Sequence, residues 1–467
     1  MSVDAHPDTS TSGAPGVPGT ALAPHARRAG RARGGAALGT SLTEFHPRQQ
    51  EARRERYRRR SAGQEWLIRR ERQLAGLPPV APKVVDPVTG EERRARAGDE
   101  EWVRPPRLAR CSWRVGEVGV HAHDDGSGPG HFSGTERCGS IWGCPVCASV
   151  IRPKRASEIQ HAVGKHTEKG GSLLFVTLTL RHHKGQPLAE TLDAVLTCWQ
   201  KMLRGKAWGT TKDRYGITGY IRSIEITLGE NGWHPHAHVI MFLTDAISAE
   251  SAEMLGDELH GRWSRYALAA TGRMPTRRAG VDVQRVTGDG KVIAQYLGKL
   301  QDDKTANWDV GAEMSRSDVK RGRGSGSMVP FELLDKVDPE DEPNSYERWE
   351  IEDERRRLWV EYVEATKGRR AITWSRGLKK MYGVKERSDA DIMKKTESAP
   401  LRYVVDGPAY DRARKDGALT LALVLEAAES GDWDAVEQLL PGGHLKLAVR
   451  GVPARDPIAR SAFPRPR

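Results

Sequence analysis

The residues best placed to do chemistry are His236 and His238, in the run Gly232-Trp233-His234-Pro235-His236-Ala237-His238-Val239-Ile240-Met241-Phe242-Leu243. The apolar, β-branched tail of this run predicts a buried strand. Alternate residues of a strand share a face, so the two imidazoles point the same way, about 7 Å apart along the chain. That arrangement suits a divalent ion; the plainer reading is a polar strand face turned to water. Just upstream, residues 220–228 predict a second strand and Asn231-Gly232 a hairpin turn. If Asn231-Gly232 is the two-residue loop, Glu225 lies opposite His238 and Thr227 opposite His236. If the loop centres one residue earlier, Glu225 lies opposite His236. In both registers Glu225 shares the histidine face. One carboxylate and two imidazoles make an open site that favours Mn²⁺ or Mg²⁺ over a closed structural zinc. His234 is on the same face and competes with Glu225 as third ligand.

Further on, residues 281–286 alternate like a strand, and Lys291 to Leu300 predict a helix after Gly288-Asp289-Gly290. Tyr296 and Lys299 are three apart and share a face of that helix. A phenol is a weak nucleophile at neutral pH, but a neighbouring ammonium favours the phenolate and can hold a phosphate. Taken alone, the pair reads as a half-buried tyrosine beside a surface lysine.

Four of the five cysteines, Cys111, Cys138, Cys144 and Cys147, fall between 105 and 155. Cys144-Pro145-Val146-Cys147 is a C-x-x-C knuckle, which supplies two soft ligands of a tetrahedral zinc from one tight turn. Cys138 is close and Cys111 is the natural fourth, with His121, His123 or His131 as alternatives. Reduced buried cysteine is the plainer reading, and it suits Cys198 better. No βαβ pattern surrounds the knuckle to make it a redox motif, and five cysteines in 467 residues do not make a disulfide scaffold.

The elements that must position these residues read as strand 173–180, helix 187–203 with Leu188, Leu192, Val195, Trp199 and Met202 as its apolar stripe, the hairpin 219–243, helix 248–270, strand 281–286 and the tyrosine helix. The order β-α-β-β-α-β followed by α predicts an α+β, ferredoxin-like domain: an antiparallel sheet with helices on one face. Residues 1–104 read as a disordered basic region. Its dense run Arg53-Arg54-Glu55-Arg56-Tyr57-Arg58-Arg59-Arg60 is either a DNA-phosphate arm or a solvated linker, and the amphipathic spacing from Gln64 to Leu77 allows a short helix that Pro78-Pro79 stops. Residues 105–160 form the Cys-rich zinc module, 165–305 the catalytic domain, 306–400 a helical basic region, and 401–467 a C-terminal helix and loose tail. Within 306–400, the stretch Lys367 to Lys380 mixes basic residues with Trp374, as a nucleic-acid surface does. The net charge of +12 favours a polyanionic partner. Nothing resembles a signal peptide and no apolar run reaches the roughly 20 residues of a membrane span, so a soluble cytoplasmic protein is expected.

Three motifs in order, Phe175-Val176-Thr177-Leu178-Thr179-Leu180-Arg181-His182-His183, Trp233-His234-Pro235-His236-Ala237-His238 and Tyr296-Leu297-Gly298-Lys299, together resemble the HUH-type rolling-circle replication initiators of actinobacterial plasmids. The block Cys138 to Cys147 also looks like the one that precedes the family's first motif. The resemblance covers residues 105–305 and continues weakly to 380. It implies that His236 and His238 are metal ligands and Tyr296 the nucleophile of a site-specific single-strand nickase. The product would be a 5′-phosphotyrosine and a 3′-hydroxyl that primes synthesis, with origin DNA, a host helicase and a host DNA polymerase as partners. His182 and His183 would either touch phosphate or be plain loop residues. A single tyrosine on the helix fits the single-tyrosine initiators. Some of those carry a glutamate one turn earlier; here that position is Val292, and Asp289, Asp302 and Asp303 do not replace it. The rival readings are a conjugative relaxase, an HUH transposase, and a zinc-dependent DNA-binding regulator without catalysis.

Overall fold

A computed structural model describes residues 42–123, 128–286, 328–395 and 399–446. The chain divides into two units, Met1–Pro47 and Arg48–Arg467, and every described element from the first strand onward belongs to the second. The expected tyrosine helix, with Tyr296, Lys299, Val292, Asp289, Asp302 and Asp303, lies outside the described residues, as does the basic stretch 320–327.

In chain order the elements are α1 (Leu42–Leu74), β1 (Lys83–Val85), β2 (Glu92–Arg94), β3 (Arg114–His121), β4 (His131–Thr135), α2 (Pro145–Glu168), β5 (Ser172–Thr179), α3 (Leu188–Met202), α4 (Gly205–Arg214), β6 (Ile217–Gly229), β7 (Gly232–Leu243), α5 (Ala249–Thr271), α6 (Arg277–Gly280) and β8 (Val281–Val286). After a 3₁₀ turn at Pro330–Leu334 come α7 (Ser345–Thr366), β9 (Ile372–Trp374), α8 (Leu378–Met381), α9 (Asp389–Lys395), β10 (Leu401–Val405), α10 (Gly407–Asp416), α11 (Thr420–Glu429), α12 (Trp433–Leu439) and β11 (His444–Leu445). It is a mixed α/β architecture with antiparallel sheets.

The central sheet has the strand order β8-β5-β7-β6-β9, and every neighbouring pair is antiparallel. One face is lined by Leu174, Val176, Leu178, Ala237, Val239 and Met241, which pack with the buried stripe of α3 (Leu188, Leu192, Val195, Trp199, Met202) and with Leu255, Leu259 and Trp263 of α5. The stripe falls at helical spacing, so α3 is an amphipathic helix by sequence and by packing. Ser248 caps α5 by accepting from the Ser251 N–H at 3.0 Å, and Gly272 ends it at φ +69°. Only glycine takes that left-handed conformation without strain. On the opposite face Phe175, Ile221, Ile240 and Phe242 pack with Ile159 and Ala162 of α2, Leu378 of α8 and Tyr382 just after it. Helices were expected on one face; α2 and α8 cover part of the second.

The Cys-rich region is not a self-contained module. Its strands β3 and β4 form a second sheet in the order β11-β10-β3-β4, so 114–135 is completed by 401–445. The stretch beyond 401 thus carries two strands and three helices where one helix and a tail were expected. Residues 42–104 are not an unstructured arm either. Helix α1 runs 33 residues and buries Tyr57 and Leu67. Several of its arginines are spent inside the molecule: Arg53 on Glu429 at 2.5 Å, Arg54 on Glu426 at 2.6 Å and Arg59 on Asp335 at 2.6 Å. The basic run failed as a signal because its acidic partners lie more than 270 positions away in sequence.

Candidate functional site

The hairpin β6–β7 settles the register left open by sequence. Gly229 pairs with Gly232, so Glu230-Asn231 is the loop and Glu225 stands opposite His236. A two-residue Asn-Gly turn of the usual hairpin type needs positive φ at both residues. Here Gly232 has φ +84° while Asn231 is not among the positive-φ residues, which moves the loop one residue back.

In that register Glu225, His236 and His238 point to one spot. The Glu225 Oε2 lies 2.8 Å from His236 Nε2 and 2.7 Å from His238 Nε2. Glu225 and His238 are buried and His236 is half-buried. The far side of each ring is also held. His236 Nδ1 lies 3.2 Å from the His234 carbonyl oxygen, which can only accept, so Nδ1 carries the proton there. His238 Nδ1 lies 3.2 Å from Thr177 Oγ1 on the neighbouring strand β5, and Phe175 stacks on the His238 ring at 5.3 Å. With Nδ1 turned to the His234 carbonyl, Nε2 of His236 is left facing the Glu225 carboxylate, where either a proton or a metal ion can bridge the two. Ligands at neighbouring corners of an octahedron about 2.1 Å from its centre are about 3.0 Å apart. The observed 2.7 and 2.8 Å are hydrogen-bond distances a little shorter than that, and the three ligand atoms lie close enough together to hold one metal ion.

His234 does not join this group. Its ring stacks on His182 at 4.6 Å, and burial, followed by His236 and His182, pushes its pKa down to about 3. His182 and His183 lie in the loop after β5, His183 with its Nδ1 3.1 Å from the Lys184 carbonyl.

Two residues that support the site were missed by sequence reading. Thr177 was legible in principle, since strand alternation puts it on the face of the histidines once β5 and β7 are paired. Glu361 of α7 was not. Its Oε2 accepts from Trp233 Nε1 at 3.0 Å and its Oε1 from the Leu188 N–H at 2.7 Å. It therefore ties the strand carrying His236 to the start of α3, which has no side-chain cap of its own.

The four cysteines Cys111, Cys138, Cys144 and Cys147 form a second cluster. Cys111 and Cys147 are 3.6 Å apart, Cys138 and Cys147 3.6 Å, and Cys144 and Cys111 3.7 Å. Zinc with thiolates at 2.3 Å gives tetrahedron edges of about 3.8 Å, whereas a disulfide is about 2.05 Å long. The cluster therefore has the spacing of a metal site, and the alternatives His121, His123 and His131 lie outside it. Cys144 caps α2 and its Sγ accepts from the Cys147 N–H at 3.4 Å, so the knuckle and the helix start are one feature. The helix thus opens at Pro145, inside the knuckle itself. Ser112, next to Cys111, takes φ +71°. Three bonds hold it there: its N–H donates to the Glu136 carbonyl (2.7 Å), its Oγ accepts from Arg60 (2.6 Å), and its carbonyl accepts from Tyr410 (2.9 Å). Arg60 is buried. Burial pulls its pKa down, but Tyr57, Cys111 and Cys144 outweigh that and leave it raised. It is placed to offset the negative charge that the four thiolates would carry with a metal ion bound. Cys198, in contrast, lies in the core of α3, with burial raising its thiol to about 11.

A mixed α/β chain with a Glu/His/His centre and a four-cysteine cluster is the class these observations define. The family model described as replication protein matches residues 132–403, a span holding the Glu/His/His group and three of the four cysteines. A "Protein rep" of Streptomyces lividans is 33% identical over 330 residues, covering 59% of this chain and 71% of the relative. A "Neomycin resistance protein" of Streptomyces cyanogenus is 33% identical over 135 residues, 24% of this chain and 31% of that protein. A "Protein rep" of Lentilactobacillus hilgardii is 27% identical over 125 residues, 26% and 37%. No solved structure matches. The chain belongs to the replication protein family and is a plasmid replication (Rep) initiator of the actinobacterial kind. Among the described residues no helix is long and apolar enough to cross a membrane.

Proposed function

We propose that this initiator acts as an HUH endonuclease: it nicks one strand at its plasmid origin and later rejoins it. The observation that carries the reading is the convergence of Glu225 with His236 and His238 at 2.7 to 2.8 Å on one face of the central sheet. The order β-α-β-β-α-β, with the added helices α4 and α6 in its two connections, and the strand order β8-β5-β7-β6 support a ferredoxin-like nicking domain over about 165–305. Bound between these three residues, Mn²⁺ or Mg²⁺ would offset charge on a non-bridging oxygen of the scissile phosphate. Thr177 and the His234 carbonyl hold the imidazoles so that both Nε2 atoms face that spot. Tyr296, whose assignment rests on the sequence motif, attacks phosphorus as the phenolate. A tyrosyl oxygen–phosphorus bond forms, the bond to the 3′ oxygen breaks, and that oxygen takes a proton to become the 3′-hydroxyl primer. Lys299 offsets charge on the phenolate or the phosphate. The energy of the broken ester stays in the 5′-phosphotyrosine, so rejoining needs no ATP. Extension from the primer calls for a host helicase and DNA polymerase in the cytoplasm. Cys111, Cys138, Cys144 and Cys147 would hold a zinc ion, which would tie the ends of the second sheet to the start of α2.

The test is cleavage of labelled single-stranded oligonucleotides tiling the plasmid DNA beside the gene, with and without added Mn²⁺ or Mg²⁺. Metal-dependent nicking that disappears in His236→Ala/His238→Ala supports the reading. Tight origin binding with no cleavage on any oligonucleotide would favour a non-enzymatic regulator.

A further inference from the structure

The stretch Lys367 to Lys380, read from sequence as a nucleic-acid surface, has a definite place in the fold. Strand β9 is the edge of the central sheet, paired to β6 with Ile372 opposite Ser223 and Trp374 opposite Ile221. Ser223 in turn lies opposite His238, and Ile221 opposite Ile240. Cross-strand partners share a face. Ile372 and Trp374 therefore sit on the face that carries Glu225, His236 and His238, with Ile372 two strands, about 10 Å, from His238.

Between this edge and α2 lies a cavity of about 480 Å³. That is within the roughly 300–1,000 Å³ of small-ligand clefts. Its charged lining is five cations, Arg155, Arg369, Arg370, Lys379 and Arg387, against two anions, Glu386 and Asp389. Both anions pair inside the cavity, Glu386 with Lys379 at 3.1 Å and Asp389 with Arg155 at 2.7 Å, while Arg369 pairs with Asp193 and Arg387, more loosely at 3.6 Å, with Glu158. Arg370 is exposed and has no ion-pair partner among the described residues. Trp374 is half-buried, with the Lys379 ammonium 5.5 Å from its ring centroid. Concave positive charge fits phosphate, and a partly open indole fits the flat face of a base. A base can reach an indole only when it is out of its duplex stack, so this lining fits single-stranded DNA better than a double helix.

We infer that this cavity is a subsite for the single strand flanking the nick, with a base stacked on Trp374 and its phosphates on Arg370 and Arg387. The inference rests on the nicking function proposed above: a strand whose phosphate sits at the Glu/His/His centre need cross only β6 to arrive here. Neither role calls for a particular base, so the subsite grips the strand without reading its sequence.

Binding of a short fluorescein-labelled oligothymidylate, followed by anisotropy without added divalent ion, tests this apart from nicking. Trp374→Ala is expected to weaken binding roughly 5- to 150-fold, the loss for one stacked base. Trp374→Phe should restore most of it. Arg370→Ala should flatten the dependence of log affinity on log salt by about 0.7, the value for one phosphate contact on a single strand. If Trp374→Ala does not fold, a 5-iodouracil oligonucleotide on the wild-type protein serves instead, with crosslinking expected on the tryptic peptide 371–376. Unchanged affinity and salt slope in the Trp374 and Arg370 variants, or crosslinks only elsewhere, would overturn the subsite. Pocket-dependent binding in a protein that never nicks would leave the subsite standing and remove the nickase. Nicking with these variants indistinguishable from wild type in binding would do the reverse.

Discussion

Replacing Glu361 by alanine removes two hydrogen bonds from opposite ends of one carboxylate. One comes from the Trp233 indole at 3.0 Å and the other from the Leu188 N–H at 2.7 Å. Hydrogen bonds to a charged group are worth about 1.5–3 kcal/mol each, and leaving a buried donor unmet costs about 1–3 kcal/mol. Trp233 is only 3% exposed, so its N–H has little water to turn to. The Leu188 N–H is in the first turn of α3, where losing a cap costs about 1 kcal/mol. These terms overlap, since each counts the same lost bonds, and together they put Glu361→Ala at about 3 kcal/mol. Glu361→Gln keeps one carbonyl oxygen and should lose about half of that. Urea unfolding followed by far-UV circular dichroism measures both. Trp233 precedes His236 by three residues, so the alanine variant should also nick more slowly, while the glutamine variant falls between. An alanine variant within about 0.5 kcal/mol of wild type, the range of ordinary surface substitutions, would mean that Glu361 does not hold the strand.

Three further outcomes are expected. The purified protein should release one zinc per chain when its thiols are titrated with a mercurial, and Cys147→Ser should bind none and melt at lower temperature; a metal-free protein of unchanged melting temperature would refute the zinc site. Arg60→Met should speed zinc loss to a chromophoric chelator and Arg60→Lys should do so less, whereas equal rates would deny Arg60 its charge role. His131 is held down to about 3, chiefly by burial and then by His121, on which it stacks at 4.5 Å. The unfolded chain takes up that proton near pH 6.5, so the folded state binds fewer protons between about 6.5 and 3. Stability should fall with falling pH in that window by roughly 1 kcal/mol per unit, discounted from about 1.4 because the ring keeps some contact with water. His131→Phe should flatten that limb of a stability–pH curve; an unchanged limb would place the titration elsewhere.

How much was legible in sequence depends on the range of the interactions. Strands β5 to β8 with helices α3 and α5 are built from local periodicity, and their limits lie within one or two residues of those read from the apolar pattern. The face shared by Glu225, His236 and His238 needed only strand alternation and an antiparallel hairpin. The register needed the backbone conformation of Asn231, which sequence does not fix. What could not be read was long-range. Arg53, Arg54 and Arg59 look like a free basic run until Glu429, Glu426 and Asp335 are brought beside them. The strand pairing that joins β3 to β10 links residues nearly 300 positions apart, and two short strands give no local hint of each other. Glu361 sits among the many charges of α7, and only the tertiary fold distinguishes it. The motif Tyr296-Leu297-Gly298-Lys299 remains a sequence assignment outside the described residues.

The most direct test of the central claim is to trap the covalent product. Wild-type protein is incubated with Mn²⁺ and a single-stranded origin oligonucleotide, digested with protease and nuclease, and examined by mass spectrometry. The expected result is a nucleotide phosphate attached to Tyr296, absent from Tyr296→Phe and from His236→Ala/His238→Ala. An adduct on another residue, or nicking that persists in the Tyr296→Phe and histidine variants, would contradict the account.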